Sequence, residues 1–231
     1  MLDLTFQGVG YAAGDPERTR RWLREVLEGG DEVALETATG AGAYTTANND
    51  VGAFHICLRT ADIAVADARL RAHGVRPSSA PTRSEVGPVL LYFRDPDGVQ
   101  YQLIELPGAE DAPARPQLHH VAVTVADLEA AVEWLTDTLG AGPPMRSSAS
   151  GEGVSQMLEI PGAAYDVALL PVGGLLLELM AFRVPAGRDA PPAPGGVGCM
   201  RLAFTAKDPP GARERLAQGP PSPPGLNLYV V

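Results

Sequence analysis

Apolar and polar positions fall into one pattern that is written four times along the chain. A short apolar run leads to an aspartate, the aspartate opens a stretch of helical period, and a leucine follows eight residues later. The aspartates are Asp15, Asp62, Asp127 and Asp208, and the leucines are Leu23, Leu70, Leu135 and Leu216. An aspartate just before a helical run is a cap: its side chain accepts from a backbone N–H that the first turn leaves unpaired. The spacing predicts helices over 15–27, 62–73, 127–139 and 208–218, with Gly74 and Gly140 ending the middle two. Trp22 and Trp134 fall at the same step of their repeats and read as core residues.

Period-two runs follow the helices. In the second unit they are 89–93 and 99–106, joined by Asp95-Pro96-Asp97-Gly98, a tight turn in which Pro96 presets φ and Gly98 can take a positive one. In the third unit they are 156–160, 166–171 and 175–182, with Gly173-Gly174 as a turn. The first unit has room for two strands at most over 31–50, and the last ends in a run at 226–231. The Pro/Ala/Gly-rich stretches 107–116 and 184–198 read as linkers. This is an α+β chain of four βαβββ-like units, the first and last abbreviated.

Composition narrows the partners. With 231 residues, 45% of them hydrophobic, the chain can build one large or two small domains. A net charge of −10 argues against nucleic acid and against an anionic membrane surface. Cys57 and Cys199 form no framework of disulfides and no Cys-x-x-Cys site, which fits a reducing compartment. No signal peptide and no apolar run of transmembrane length is seen, so a cytoplasmic protein is expected. The Ala/Pro/Gly/Arg bias suggests a high-GC genome and, as a prior only, specialised metabolism.

The chemistry sits on the first and last strands of the middle units. Seven residues before each capping aspartate stand Gly8, His55, His120 and Arg201, so two of four equivalent strand positions are histidine. Each middle unit also ends on a strand with a lone carboxylate, Glu105 in Ile104-Glu105-Leu106 and Glu178 in Leu177-Glu178-Leu179. A carboxylate in an apolar row is costly to bury without a partner. Two imidazoles and two carboxylates suit one divalent metal ion such as Zn, Ni, Co, Mn or Fe(II). The hairpin offsets differ: Glu105 lies seven residues after Gly98, Glu178 four after Gly174. Cys57 and Arg59 follow His55 on its face and Thr124 follows His120; with Tyr101 they are candidate substrate contacts. His119 is expected to face away from His120, and Arg201 to form an ion pair.

Four such units, with His…Asp at the strand–helix join and Asp-Pro-Asp-Gly…Ile-Glu-Leu at the end, resemble the vicinal oxygen chelate superfamily of glyoxalase I, methylmalonyl-CoA epimerase, extradiol dioxygenases and bleomycin-resistance proteins. The resemblance is carried by 51–106 and 118–182. It implies paired units rolled into half-open mixed-sheet barrels, as glyoxalase-like modules at 1–108 and 118–231 joined by a linker at 109–117. The glyoxalase-like ligand set falls on His55, Glu105, His120 and Glu178. Only units 51–106 and 118–183 hold a full set, so the working site is expected between them. The activity implied is metal-dependent proton transfer, as in an isomerase, epimerase or lyase, on a small α-oxygenated substrate, with Glu105 or Glu178 carrying the proton. The rivals are an Fe(II) extradiol-type dioxygenase using His55, His120 and Glu105, and a metal-free resistance protein that binds an antibiotic or an intermediate. A small-molecule substrate and a monomer or homodimer are expected.

Overall fold

The computed structural model describes residues 2–29, 33–40, 42–84, 87–108 and 115–231. The first unit comprises β1 (Leu4–Ala13), α1 (Pro16–Leu27) and β2 (Val33–Thr37). The second comprises β3 (Phe54–Arg59), α2 (Ile63–Ala72), β4 (Thr82–Arg83), β5 (Val89–Arg94) and β6 (Gln100–Glu105). The third runs through β7 (Gln117–Thr124), α3 (Leu128–Trp134), β8 (Met145–Ser150), α4 (Glu152–Leu158), β9 (Ala164–Val172) and β10 (Leu175–Val184). The last has β11 (Met200–Ala206), α5 (Pro209–Gln218) and β12 (Leu228–Val230). Among the described residues no helix is long and apolar enough to cross a membrane.

All four repeat aspartates cap their helices. Asp15 accepts from Arg18 N, Asp62 from Ala64 N and Val65 N, Asp127 from Ala130 N, and Asp208 from Gly211 N. Beyond Trp134, α3 continues as a π turn over Leu135–Leu139, and Gly140 at φ 71° ends it.

Two elements differ from the sequence expectation. The run 156–160 is not a strand: Gln156 to Leu158 belong to α4, which buries the adjacent pair Met157 and Leu158. Its apolar spacing is too short to distinguish one helical turn from a strand. The unit's missing strand is β8, upstream, whose residues are mostly exposed and carry no apolar alternation.

Eight strands form a curled mixed sheet, a half-barrel, in the order β4-β5-β6-β3-β7-β10-β9-β8. Its centre is the antiparallel pair β3–β7, flanked by the parallel pairs β3–β6 and β7–β10. The second and third units are thus related by a pseudo-twofold through the β3–β7 contact. Odd-numbered residues of β6 and β7, such as Tyr101, Leu103, Val121 and Val123, join a core with the helices; Ala122 belongs to a separate cluster with Tyr92, Met157, Leu158, Tyr165 and Met180.

The first and last units pair with each other, giving the sheet β12-β11-β1-β2. Gly8 opposes Ala203 and Gly10 opposes Arg201, the register in which His55 opposes Ala122 and Cys57 opposes His120. The repeat is therefore preserved here without its histidines. Arg201 forms an ion pair with Glu36 and lies over the Tyr229 ring.

The Asp-Pro-Asp-Gly turn joins the two sheets. Asp95 Oδ1 accepts from Asp97 N and Val99 N, and Oδ2 accepts from Tyr11 OH at 2.5 Å. Asp97 accepts from Arg18, Thr19 and Gly14 N. Gly98, at φ 89°, sits so close to Tyr44 that an added Cβ would lie 2.8 Å from its carbonyl oxygen.

Candidate metal centre

Two rows of paired residues cross the half-barrel and build the site. In the first, Arg94 pairs with Gln100, Gln100 with His55, His55 with Ala122, and Ala122 with Glu178. In the second, Tyr92 pairs with Gln102, Gln102 with Cys57, and Cys57 with His120. Residues paired across neighbouring strands share a face, and alternate residues along a strand do too. Both rows therefore lie on the inner face.

The structure brings together His55, His120 and Glu178. His120 Nε2 lies 2.7 Å and His55 Nε2 4.0 Å from Glu178 Oε2. The two imidazole rings stand edge to face, 5.7 Å apart. Both are buried, at 3% and 4% exposure. Burial drives the His55 pKa down to about 3, with Glu178 opposing and His120 assisting, so its imidazole is neutral at ordinary pH. Burial pushes the Glu178 carboxyl up, but the close approach of His120, then the charges of His55 and His119, outweigh it, and the net shift is downward. A neutral imidazole beside an ionised carboxylate is the state that binds a cation.

Glu105 is not brought to this cluster. It lies on the other face of β6, where its Oε2 accepts from Ile63 N at 2.8 Å and completes the capping of α2 begun by Asp62. Tyr101, on that same face, bonds the Tyr11 hydroxyl at 3.1 Å and stacks on Phe93. Both expectations fail on strand parity: His55 pairs with Gln100, so the even residues of β6 share its face. The residue that stands where Glu178 stands in the third unit is Gln102. Glu178 opposes Ala122, two beyond His120; Gln102 opposes Cys57, two beyond His55. The signal was in the hairpins, since Gln102 lies four residues after Gly98 as Glu178 does after Gly174.

The remaining candidates take different places. Cys57 lies fully buried in the same row as His120, and burial followed by the Glu178 charge raises its thiol well above the usual range. Arg59 ends the same face. Thr124 donates to Asn48 O at 2.6 Å and so secures a loop. His119 does not turn away from His120. It is the extra residue of a bulge, since Cys57 pairs with His120 and Leu58 with Leu118. The bulge places the Nδ1 atoms of His119 and His120 2.8 Å apart. Cys57, His119 and His120 form a second group of closely spaced donor atoms that shares His120 with the first.

Unpaired polar atoms gather here. Among the described residues eight buried side-chain N and O atoms have no hydrogen-bond partner, and six are on these three central strands: His55 Nε2, Arg59 Nε, Gln100 Nε2 and Oε1, Gln102 Oε1 and His120 Nε2. His120 Nε2 is among them although it lies 2.7 Å from Glu178 Oε2. The donor set fits a divalent cation: two imidazole nitrogens and a carboxylate oxygen converge, while Gln102, on the same face, leaves Oε1 unpaired and donates through Nε2 to Tyr92 OH at 2.6 Å.

Met157 and Leu158 of α4 pack over the inner face against Tyr92, Ala122 and Met180, and Asn48 Nδ2 donates to Leu158 O. Beside that end of α4 is a cavity of about 270 Å³, lined by residues that include Thr46, Asn48, Arg94 and Leu158.

A family model described as the Glyoxalase/Bleomycin resistance protein/Dioxygenase superfamily matches residues 2–103 and 117–219. A 2-epi-5-epi-valiolone epimerase from Actinomyces sp is 32% identical over 112 residues, 47% of this chain and 61% of that protein. The matched stretch thus spans about three fifths of the relative's length. Glyoxalase I from Zea mays has the same fold, with a TM-score of 0.62 at 18% identity, covering 91% of this chain and 77% of that one. A putative dioxygenase from Bacillus subtilis follows at 0.55 and 14% identity, covering 92% and 73%.

Proposed function

This chain belongs to the Glyoxalase/Bleomycin resistance protein/Dioxygenase superfamily, and from that premise we propose that it is a metal-dependent epimerase or isomerase that moves a proton on a carbon next to a carbonyl. The observation that carries the reading is the convergence of His55, His120 and Glu178 on one buried point. Those three, with Gln102 Oε1, would hold one divalent cation. When bound, such an ion polarises a carbonyl oxygen and so acidifies the neighbouring C–H.

The chain's own residues supply the rest. Glu178 is ionised and 15% exposed, so it can take a proton from a substrate carbon and return it. Returned on the same face to the adjacent carbon, the proton isomerises the compound; inversion of the stereocentre requires in addition a proton donor on the opposite face of the planar carbon. Tyr92 holds the Gln102 amide through its hydroxyl and lays its ring edge-on to His55, 5.1 Å between centroids, fixing both. The apolar residues of α4 exclude water from the inner face, which strengthens every electrostatic interaction there. The epimerase relative makes 2-epi-5-epi-valiolone the first substrate to try.

Elemental analysis of the purified protein and deuterium uptake in D2O test this reading. One divalent ion per chain is expected, lost in His120→Ala, with deuterium entering 2-epi-5-epi-valiolone only with the metal-loaded protein. A protein that purifies without stoichiometric metal, and whose metal content is indifferent to His120→Ala, would overturn it.

A second reading has its own support. Two histidines and one carboxylate are the ligand set of non-haem Fe(II) oxygenases, and Glu178 fills the carboxylate place expected of Glu105. Oxygen consumption with a catechol supports that reading, and full turnover under anaerobic conditions excludes it.

A further inference from the structure

Gln100 pairs directly with His55, and among the described residues its carboxamide is the one buried amide with both polar atoms unpaired. It is 1% exposed, and neither Nε2 nor Oε1 has a hydrogen-bond partner. Its neighbours in the sheet place it between the histidine and the cavity. It pairs with His55 on one side and Arg94 on the other, and Arg94 lines the 270 Å³ cavity beside α4. Gln100 therefore stands one strand inward from the cavity and one strand short of the histidine. Arg94 is itself engaged, donating to Gly98 O at 2.8 Å and lying 3.6 Å from Glu159. Gln102, two residues on, spends its amide nitrogen on Tyr92. The donor and the acceptor of Gln100 remain open together.

We propose that Gln100 binds a substrate hydroxyl, accepting from its O–H through Oε1 while Nε2 donates to an oxygen, and that the substrate is accordingly a hydroxylated carbonyl compound rather than a purely apolar one. The assignment rests on the proton-transfer reading above and names its substrate class. A hydroxyl is one donor and an acceptor on a single atom, and a carboxamide offers the complement of both. A site built this way rejects an analogue that lacks the hydroxyl, because the amide is then left buried and unpaired.

The test uses the full-length, metal-loaded protein with Gln100→Met and Gln100→Leu, which remove the polar atoms and keep an unbranched or compact apolar side chain. Three quantities are read for each: metal per chain, melting temperature, and affinity for 2-epi-5-epi-valiolone by calorimetry, with its carbonyl analogue lacking ring hydroxyls as comparison. The expected result is unchanged metal content, a melting temperature at or above that of the wild type in at least one variant, and affinity for the hydroxylated ketone about tenfold weaker or worse. Discrimination between the two compounds should shrink with it. Equal affinity in wild type and variants overturns the proposal. So does a wild type that binds neither compound, which removes the substrate class, and so does loss of metal in both variants, which makes Gln100 a ligand. Failure of the proton-transfer reading shows separately, as missing metal in the wild type or no deuterium uptake.

Discussion

Gln102 and Glu178 occupy corresponding places in the two halves of the curled sheet. Each lies four residues past a hairpin glycine, and each opposes the residue two beyond its unit's histidine. The pseudo-twofold therefore delivers one carboxylate and one carboxamide to the centre. An amide oxygen donates to a cation without the charge of a carboxylate, so it is the weaker partner. Gln102→Ala is expected to weaken metal binding about 10- to 100-fold, and Gln102→Glu to restore or exceed wild-type affinity, both read by competition with a chromophoric chelator. Gln102→Ala with undiminished affinity would remove it from the site.

Glu105 serves the helix instead. Its carboxylate receives Ile63 N at the first turn of α2, where an anion also meets the positive end of the helix dipole. Glu105→Ala should lower unfolding free energy by about 1–2 kcal/mol while metal per chain stays constant. Denaturant melts and elemental analysis on one preparation check both halves. Metal loss without a stability change would return Glu105 to the site.

His119 and His120 meet through their Nδ1 atoms, 2.8 Å apart. If His120 donates there, its Nε2 lone pair faces Glu178 and is free for a cation, the tautomer control that ligating histidines commonly receive. His119→Phe is expected to reduce metal affinity about tenfold or more, with little change in melting temperature. His119→Asn, which keeps an acceptor near that position, should recover part of the loss. Equal affinities across the three proteins would show that the contact is incidental.

The helices were legible because each rests on a local rule. An aspartate at four equivalent steps can only cap if a helix starts there, and all four do. The histidine positions followed from the same repeat. Glu105 misled because it is the conspicuous residue of its strand, a charge among apolar neighbours. Parity decides the face, and parity needs the register against β3, which a sequence does not print. The offset from the hairpin glycine carries that register and points to Gln102. His119 was misplaced for the opposite reason: regular alternation was assumed where a bulge breaks it. The helix α4 escaped because its two buried residues, Met157 and Leu158, are adjacent and show neither period.

The joint between the sheets should titrate. Burial first raises the Asp95 carboxyl; the hydrogen bonds from Tyr11 and Val99 oppose it, the Asp97 charge adds to it, and the Asp97 backbone bond opposes it, leaving the pKa at about 6. The groups facing it are Tyr11, with Tyr101 behind, and Asp97, which Arg18 neutralises. An unfolded aspartate titrates near about 4. The folded state therefore holds this proton more tightly, and the contribution of Asp95 to stability is full below pH 4 and falls as the pH rises through 6. Two pKa units correspond to about 3 kcal/mol. Asp95→Asn removes the titration and keeps an oxygen for Asp97 N and Val99 N. The unfolding free energy of the wild type minus that of Asp95→Asn should drop by about 2 kcal/mol between pH 4 and pH 7.5, measured in urea at both. Every other group is common to the two proteins and cancels in the difference. A difference that is flat or rises with pH would mean that Asp95 is not held protonated by its burial.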